Sequence, residues 1–104
     1  MDKLIVYKNR TNRVNVDLGY DVSGDTLYSQ IRTTSGTLIA SWTVTFDSDG
    51  SDGKIILVLD DSVTASVAYK TGLMDILRVS VGERYAVFDQ PLEVEFRDTV
   101  TELP

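Results

Sequence analysis

The sequence predicts an all-β chain, an antiparallel immunoglobulin-like β-sandwich of about seven strands with one short helical turn near residues 61–68. Three observations predict it. Apolar and polar residues alternate with a period of two along most of the chain, which marks half-buried strands. Gly, Asp, Asn and Ser interrupt these runs about every 8–12 residues, the spacing of strands joined by short turns. The chain has 104 residues, 42% hydrophobic and 25% charged, so residues 1–104 read as a single domain with short terminal arms.

The elements follow in order. Leu4 to Lys8 is a β-branched and aromatic run and the first strand. From Arg13 to Leu18 the alternation sets Val14, Val16 and Leu18 on one face against Arg13, Asn15 and Asp17 on the other. Gly19 ends this strand, and the stretch through Val22, Ser23, Gly24 and Asp25 reads as a loop. Thr26 to Thr33 places Leu27 and Ile31 inward and Tyr28, Gln30 and Arg32 outward, before a Ser35-Gly36 hairpin turn. The next strand should bury Leu38, Ala40, Trp42, Val44 and Phe46 together, because a one-residue slip would expose all five.

Asp47 to Gly53 is a polar turn, and Lys54 to Leu59 then runs apolar on both faces, as a strand covered on two sides would. Residues 61–68 form the one helical candidate, with Asp60, Asp61 or Ser62 to cap it and Val63 and Val67 on one side. Gly72 should end that segment. Leu73 to Val79, Arg84 to Phe88 and the alternating Leu92 to Arg97 complete the strands, with a turn at Gly82-Glu83 and a tail from Thr101 to Pro104.

Composition narrows the function. Absence of cysteine removes disulfides, thiol nucleophiles and cysteine zinc sites, and absence of histidine removes the commonest general base and metal ligand. Sixteen acids against ten bases give a formal charge of −6, which disfavours nucleic acid as a partner. The one basic concentration, Lys3, Lys8, Arg10 and Arg13, reads as a solvated strand face. No run of apolar residues is long enough to span a membrane, and the apolar start Leu4-Ile5-Val6 is too short for a secretion signal. The expectation is therefore a non-enzymatic chain with no cofactor, no metal, no nucleic acid and no membrane partner.

Individual residues are weighed on the same terms. The loop Asp47-Ser48-Asp49-Gly50-Ser51-Asp52-Gly53 gathers hard oxygen ligands, but Asp52 stands where a calcium loop needs Gly and Val58 where it needs Glu. Asp75, between Met74 and Ile76, would need Arg78, Arg97 or a backbone amide as partner if it faced inward. Neither Asp60 with Asp61 nor Glu93 with Glu95 has an evident cleft for acid–base work. The five tyrosines are spread over strands and loops, and Tyr28 shares an outward face with Arg32, a pairing favoured at protein interfaces and in sugar binding.

A series of segments carries a family resemblance: Ile5-Val6-Tyr7-Lys8, Asp17-Leu18-Gly19-Tyr20, Ser29-Gln30-Ile31-Arg32, Gly53-Lys54-Ile55-Ile56-Leu57-Val58-Leu59, Ser62 to Ala68, and Met74-Asp75-Ile76. In this order they resemble small virion-associated proteins of tailed bacteriophages. The chain is similar to the amino-terminal sandwich domain of siphophage baseplate upper proteins, which attaches receptor-binding machinery to the tail. The resemblance implies a structural subunit at the tail, the baseplate or fibre attachment, or the head–tail region, made in the host cytoplasm and ending in the virion. Its partners would be other phage structural proteins, in several copies around a symmetric assembly. Strand edges and terminal arms are the expected surfaces, with Ile5, Tyr7, Tyr28, Arg32, Thr99, Val100 and Leu103 as interface residues. The alternative is a small carbohydrate-binding module on the virion surface, in which Tyr28→Ala would abolish glycan-array binding.

Overall fold

The computed structural model describes residues 3–101, and Leu103 among the expected interface residues lies outside them. The chain is all-β. Among the described residues there are eight strands: β1 (Leu4–Tyr7), β2 (Asn12–Asp17), β3 (Thr26–Arg32), β4 (Leu38–Phe46), β5 (Lys54–Leu59), β6 (Thr71–Ser80), β7 (Glu83–Ala86) and β8 (Leu92–Arg97). One helical turn, α1 (Asp61–Thr64), separates β5 from β6. The strands form a hydrogen-bonded path in the order β1-β8-β6-β3-β4-β5-β2, with β7 paired to the far half of β6. The path curls nearly into a barrel, and β1 and β2 are its two ends.

Every ladder is antiparallel except one: β1 runs parallel to β8, with Leu4 opposite Val94 and Tyr7 opposite Arg97. That corrects the wholly antiparallel expectation. β4 belongs to two ladders in turn. Its first half pairs β3, with Trp42 opposite Ser29, and its second half pairs β5, with Phe46 opposite Ile55. One strand thus carries the sheet around a corner.

Period two places the core as expected along most of the chain. Val6, Leu27, Ile31, Ala40, Trp42, Leu57, Met74, Ile76, Val94 and Phe96 are buried in one cluster. Three details differ. The register slips between Ile31 and Arg32, so Ile31 faces Ala40 but Arg32 faces Leu38, and Ile39 is the extra residue of a bulge. Leu38 is consequently exposed and Ile39 half-buried, the reverse of the simple alternation. β5 is covered on one side only: Ile55, Leu57 and Leu59 are buried, while Ile56 and Val58 on the other face are half-buried.

The helical segment is one turn, not two: Asp61–Thr64 is helical and residues 65–66 are a turn, although Val63 packs against the core and Val67 is buried in it as the spacing predicts. Asp60 precedes it in an extended conformation but supplies no side-chain cap. Gly72 does not terminate that segment; it lies inside β6. A methyl group there would fall 2.8 Å from Ile31 Cγ2 and 3.0 Å from Ile39 Cδ1, so the bulged β4 packs over a position that only hydrogen fills without adjustment. Asp75 points to solvent on β6, with neither expected partner: Arg78 pairs with Asp25 and Arg97 with Glu95.

Candidate interaction surface

The ends of the strand path meet at a seam, closed at one end by side chains. Residues 8–11 carry the chain from β1 to β2 through Asn9, whose φ of 58° is a left-handed conformation that Asn tolerates. Buried Asn12 then does the work of a paired strand. Its Oδ1 accepts the Tyr7 N–H at 2.9 Å, and its Nδ2 donates to Tyr7 O at 2.9 Å and to Arg10 O at 3.0 Å. Thr64, fully buried, treats Arg10 in the same way: Oγ1 accepts the Arg10 N–H at 3.2 Å and donates to Arg10 O at 2.7 Å. The chain after β8 is tied to this turn as well, through Thr99 Oγ1 to Lys8 O at 2.9 Å and Arg10 Nη2 to Thr101 O at 2.7 Å.

Asn12→Ala removes the partners of both Tyr7 backbone groups at a part-buried site. A loss of about 1–3 kcal/mol in urea denaturation is expected, since orphaned buried donors and acceptors carry their full desolvation cost. A loss below about 0.3 kcal/mol would mean that water replaces the amide at the seam.

Beyond this clasp the two end strands are open. Lys8 N donates to Arg97 O, so Val6 and Lys8 turn their main-chain groups toward β8 while Ile5 and Tyr7 turn theirs away. Asn12 occupies the Tyr7 groups, which leaves Ile5 as the open position of β1. Leu18 N donates to Gly53 O, which fixes the alternation in β2: the even-numbered residues face β5, and Arg13, Asn15 and Asp17 face away. Sequence periodicity did not reveal this edge.

The expected interface residues fall in two places. Ile5 is half-buried and Tyr7 exposed on the outward face of β1, and Thr99 and the almost fully exposed Val100 follow β8 beside them. Tyr28 and Arg32 lie on β3, with β6 and β8 between them and β1. Tyr28 is 54% exposed. Arg32 is occupied by its own hairpin, donating to Gln30 Oε1 through Nε at 3.0 Å and Nη2 at 2.8 Å and to Gly36 O through Nη1 at 2.9 Å. Its role is to hold the turn.

Electrostatics support β1 from outside. Glu95 on β8 accepts from both Lys3 and Arg97, and those bonds, the Lys3 one first, hold its carboxyl below the usual glutamate range. The bridge is therefore present above the ordinary glutamate pKa and is lost as pH falls through the lowered one.

A second cluster escaped sequence reasoning. Arg78 lies between two aromatic rings, with Cζ 4.7 Å from the Tyr85 centroid and 5.3 Å from that of Tyr20, and its Nη1 is 2.9 Å from Asp25 Oδ2. Tyr85 donates to Glu83 Oε2 at 2.7 Å, which raises its phenol pKa. These residues come from β6, β7 and the β2–β3 loop, and the only local signal was an arginine at an inward position of an alternating strand. The group seals one end of the core beside Leu27.

The acidic turn between β4 and β5 uses its carboxylates on itself. Asp49 Oδ1 accepts from Ser51 N and Oγ at 2.9 and 2.6 Å, which lowers its pKa, and Asp52 Oδ1 accepts from Lys54 N at 3.0 Å. Among the described residues no three His, Cys, Asp or Glu side chains are placed to hold a metal ion. An open groove of about 500 Å³ runs between Lys3, Tyr69 and the Thr33–Ser35 turn, walled by Glu93 and Glu95.

No protein-family model and no curated protein matches the chain. Among solved structures the chain is similar to the one titled "Crystal Structure of the Periplasmic Chaperone SfaE", at 12% sequence identity and a TM-score of 0.46. The match covers 98% of this chain and 57% of that one, so the chain spans a little over half that protein's length. At this level the likeness carries no functional argument.

Proposed function

We propose that this chain is a non-enzymatic structural subunit of a tailed-bacteriophage particle, working through protein–protein contacts in several copies of a symmetric assembly. The observation that carries the protein-binding part of this reading is the pair of open strand ends, with main-chain groups of Ile5, Arg13, Asn15 and Asp17 having no strand partner among the described residues. The particle itself comes from the sequence resemblance. The fold belonging to this reading is an immunoglobulin-like sandwich: β2, β5 and the second half of β4 as one sheet, and β1, β8 with β7, β6, β3 and the first half of β4 as the other. Strand order and the crossover within β4 support it.

The contact surface of β1 is Ile5 and Tyr7 together with Val100. Thr99 and Thr101 bind the β1–β2 turn, so removing residues 99–104 would disturb the fold along with the surface. The cleaner test is Tyr7→Ser with Val100→Ser. The tagged native chain, expressed during phage infection of its host, is expected in purified virions by mass spectrometry. The double variant should keep its melting temperature within about 2 °C and fall at least severalfold in virion content. Absence of the folded native chain from virions rejects the reading, and full incorporation of the variant removes the β1 surface from it.

A further inference from the structure

We infer that the open edge of β2 pairs with the same edge of a second copy of this chain, as an antiparallel two-fold dimer centred on Asn15. The inference deepens the protein-binding reading above by naming the partner of one of its strand edges. The other strands that end the sheet are short: β1, at the far end of the path, is four residues long and clasped by Asn12, and β7, off the path, also has four residues. β2 has six residues, no proline and no bulge, and presents Arg13, Asn15 and Asp17 in a row.

The β2 sequence complements itself when reversed. With Asn15 facing Asn15 of the second copy, Arg13 faces its Asp17, and Asp17 faces its Arg13. Outward-pointing main-chain groups belong to those same three residues, so all three are hydrogen-bonded pairs. Three pairs exchanging two bonds each give six main-chain hydrogen bonds. Between them Val14 faces Val16 of the second copy and Val16 faces its Val14, in the closer, non-hydrogen-bonded positions. Both valines are only half-buried in one copy, so the pairing covers apolar surface the single chain leaves in water.

Charge selects this register. A shift of two residues toward the amino end would set Arg13 against Asn15, and a shift of two the other way would set Asn15 against Asp17. Shifts of four oppose Arg13 to Arg13 or Asp17 to Asp17. Only the Asn15-centred register satisfies both charges, and among the described residues Arg13 has no ion-pair partner within its own chain. A two-fold arrangement uses the edge in both copies and stops there, so it yields a closed dimer, a suitable building block for a symmetric assembly. The strands β4, β5 and β2 of each copy would then join into one continuous six-stranded sheet.

The test uses the purified chain alone. Sedimentation equilibrium up to about 1 mM, the range in which weak complexes form, should show mass rising from 11.5 kDa toward twice that value. Hydrogen exchange should show the amides of Arg13, Asn15 and Asp17 gaining at least about tenfold protection with concentration, while Val14 and Val16, already bonded to β5, change little. Asn15→Pro removes a donor that the single chain does not use and should weaken the dimer at least about tenfold. Arg13→Asp, a surface change that leaves the fold intact, should weaken it similarly. Arg13→Asp with Asp17→Arg should bring affinity back to within about threefold of the native chain, because the pairs are then reversed rather than lost. Three results overturn the inference: a monomer at every concentration, a dimer indifferent to both Asn15→Pro and Arg13→Asp, or protection on a strand other than β2. None of them touches virion incorporation through β1, which is read separately.

Discussion

Replacing Gly53 with alanine is expected to destabilise the chain by about 3–5 kcal/mol, the range reserved for substitutions that break a defined structural device. Gly53 has a φ of +77°, which costs an alanine roughly 1–2 kcal/mol by itself. The larger part is steric. A methyl group would sit 2.4 Å from Tyr20 O, 2.8 Å from Tyr20 N and 3.0 Å from Gly19 N, all main-chain atoms that no rotamer change can move. Relief requires shifting the chain after β2, and Gly53 O is the acceptor of the Leu18 N–H at 2.8 Å, the last rung of the β2–β5 ladder. Gly36 is the control: its φ is +97° and a methyl group there would meet nothing within 4 Å, so Gly36→Ala should lose only about 1–2 kcal/mol. Urea denaturation of the two variants separates backbone strain from collision. Equal losses would show that the loop yields freely at Gly53.

The second large effect is at Trp42. The indole is 5% exposed at the point where β4 leaves β3 for β5, and Trp42→Ala should cost about 3–5 kcal/mol. Its Nε1–H is buried with no acceptor among the described residues, so part of the packing gain is offset by an unmade hydrogen bond of roughly 1–3 kcal/mol. Trp42→Phe gives back that cost while losing some volume, and the two changes should nearly cancel, with a net loss below about 1.5 kcal/mol. The contrast between Ala and Phe is the informative measurement. A phenylalanine variant as unstable as the alanine one would show that the indole nitrogen has a partner after all.

Where it was clean, alternation told which side of a strand faces the core, and Val14, Ile31, Trp42 and Phe96 lie where it put them. Periodicity carries no information about which strand lies alongside. The parallel pairing of β1 with β8 was therefore not legible, and neither was the exposure of β2 at the end of the path. The Ile39 bulge was invisible for a different reason: Ile39 packs over the bare backbone of Gly72, a residue of another strand. Gly72 itself looked like a terminator because glycine has two common uses, and a local reading favours the turn.

The candidate surface was half legible. Ile5, Tyr7, Thr99 and Val100 were named separately, as a terminal strand and a tail; the pairing of β1 with β8 brings them to one place. Tyr28 and Arg32 were grouped by face, and the structure separates them from β1 by two strands. Asn12, Thr64 and Arg78 were missed in those roles. Each acts on residues of another segment, Thr64 on Arg10 and Arg78 on Asp25, so no spacing within one strand announces it.

The pairing of β1 with β8 also sets an order of events during synthesis. Leu4 meets Val94, and Tyr7 meets Arg97, so β1 leaves the ribosome with no ladder partner until β2 to β7 have followed it. Closing a loop of that length is slow compared with forming the hairpins in between. Newborn chains therefore spend an interval with β1 unattached and the edge of the β6 side uncovered. In that interval another copy's first strand fits β8 as well as the chain's own does, and exchange of β1 between neighbouring chains is the hazard built into this topology.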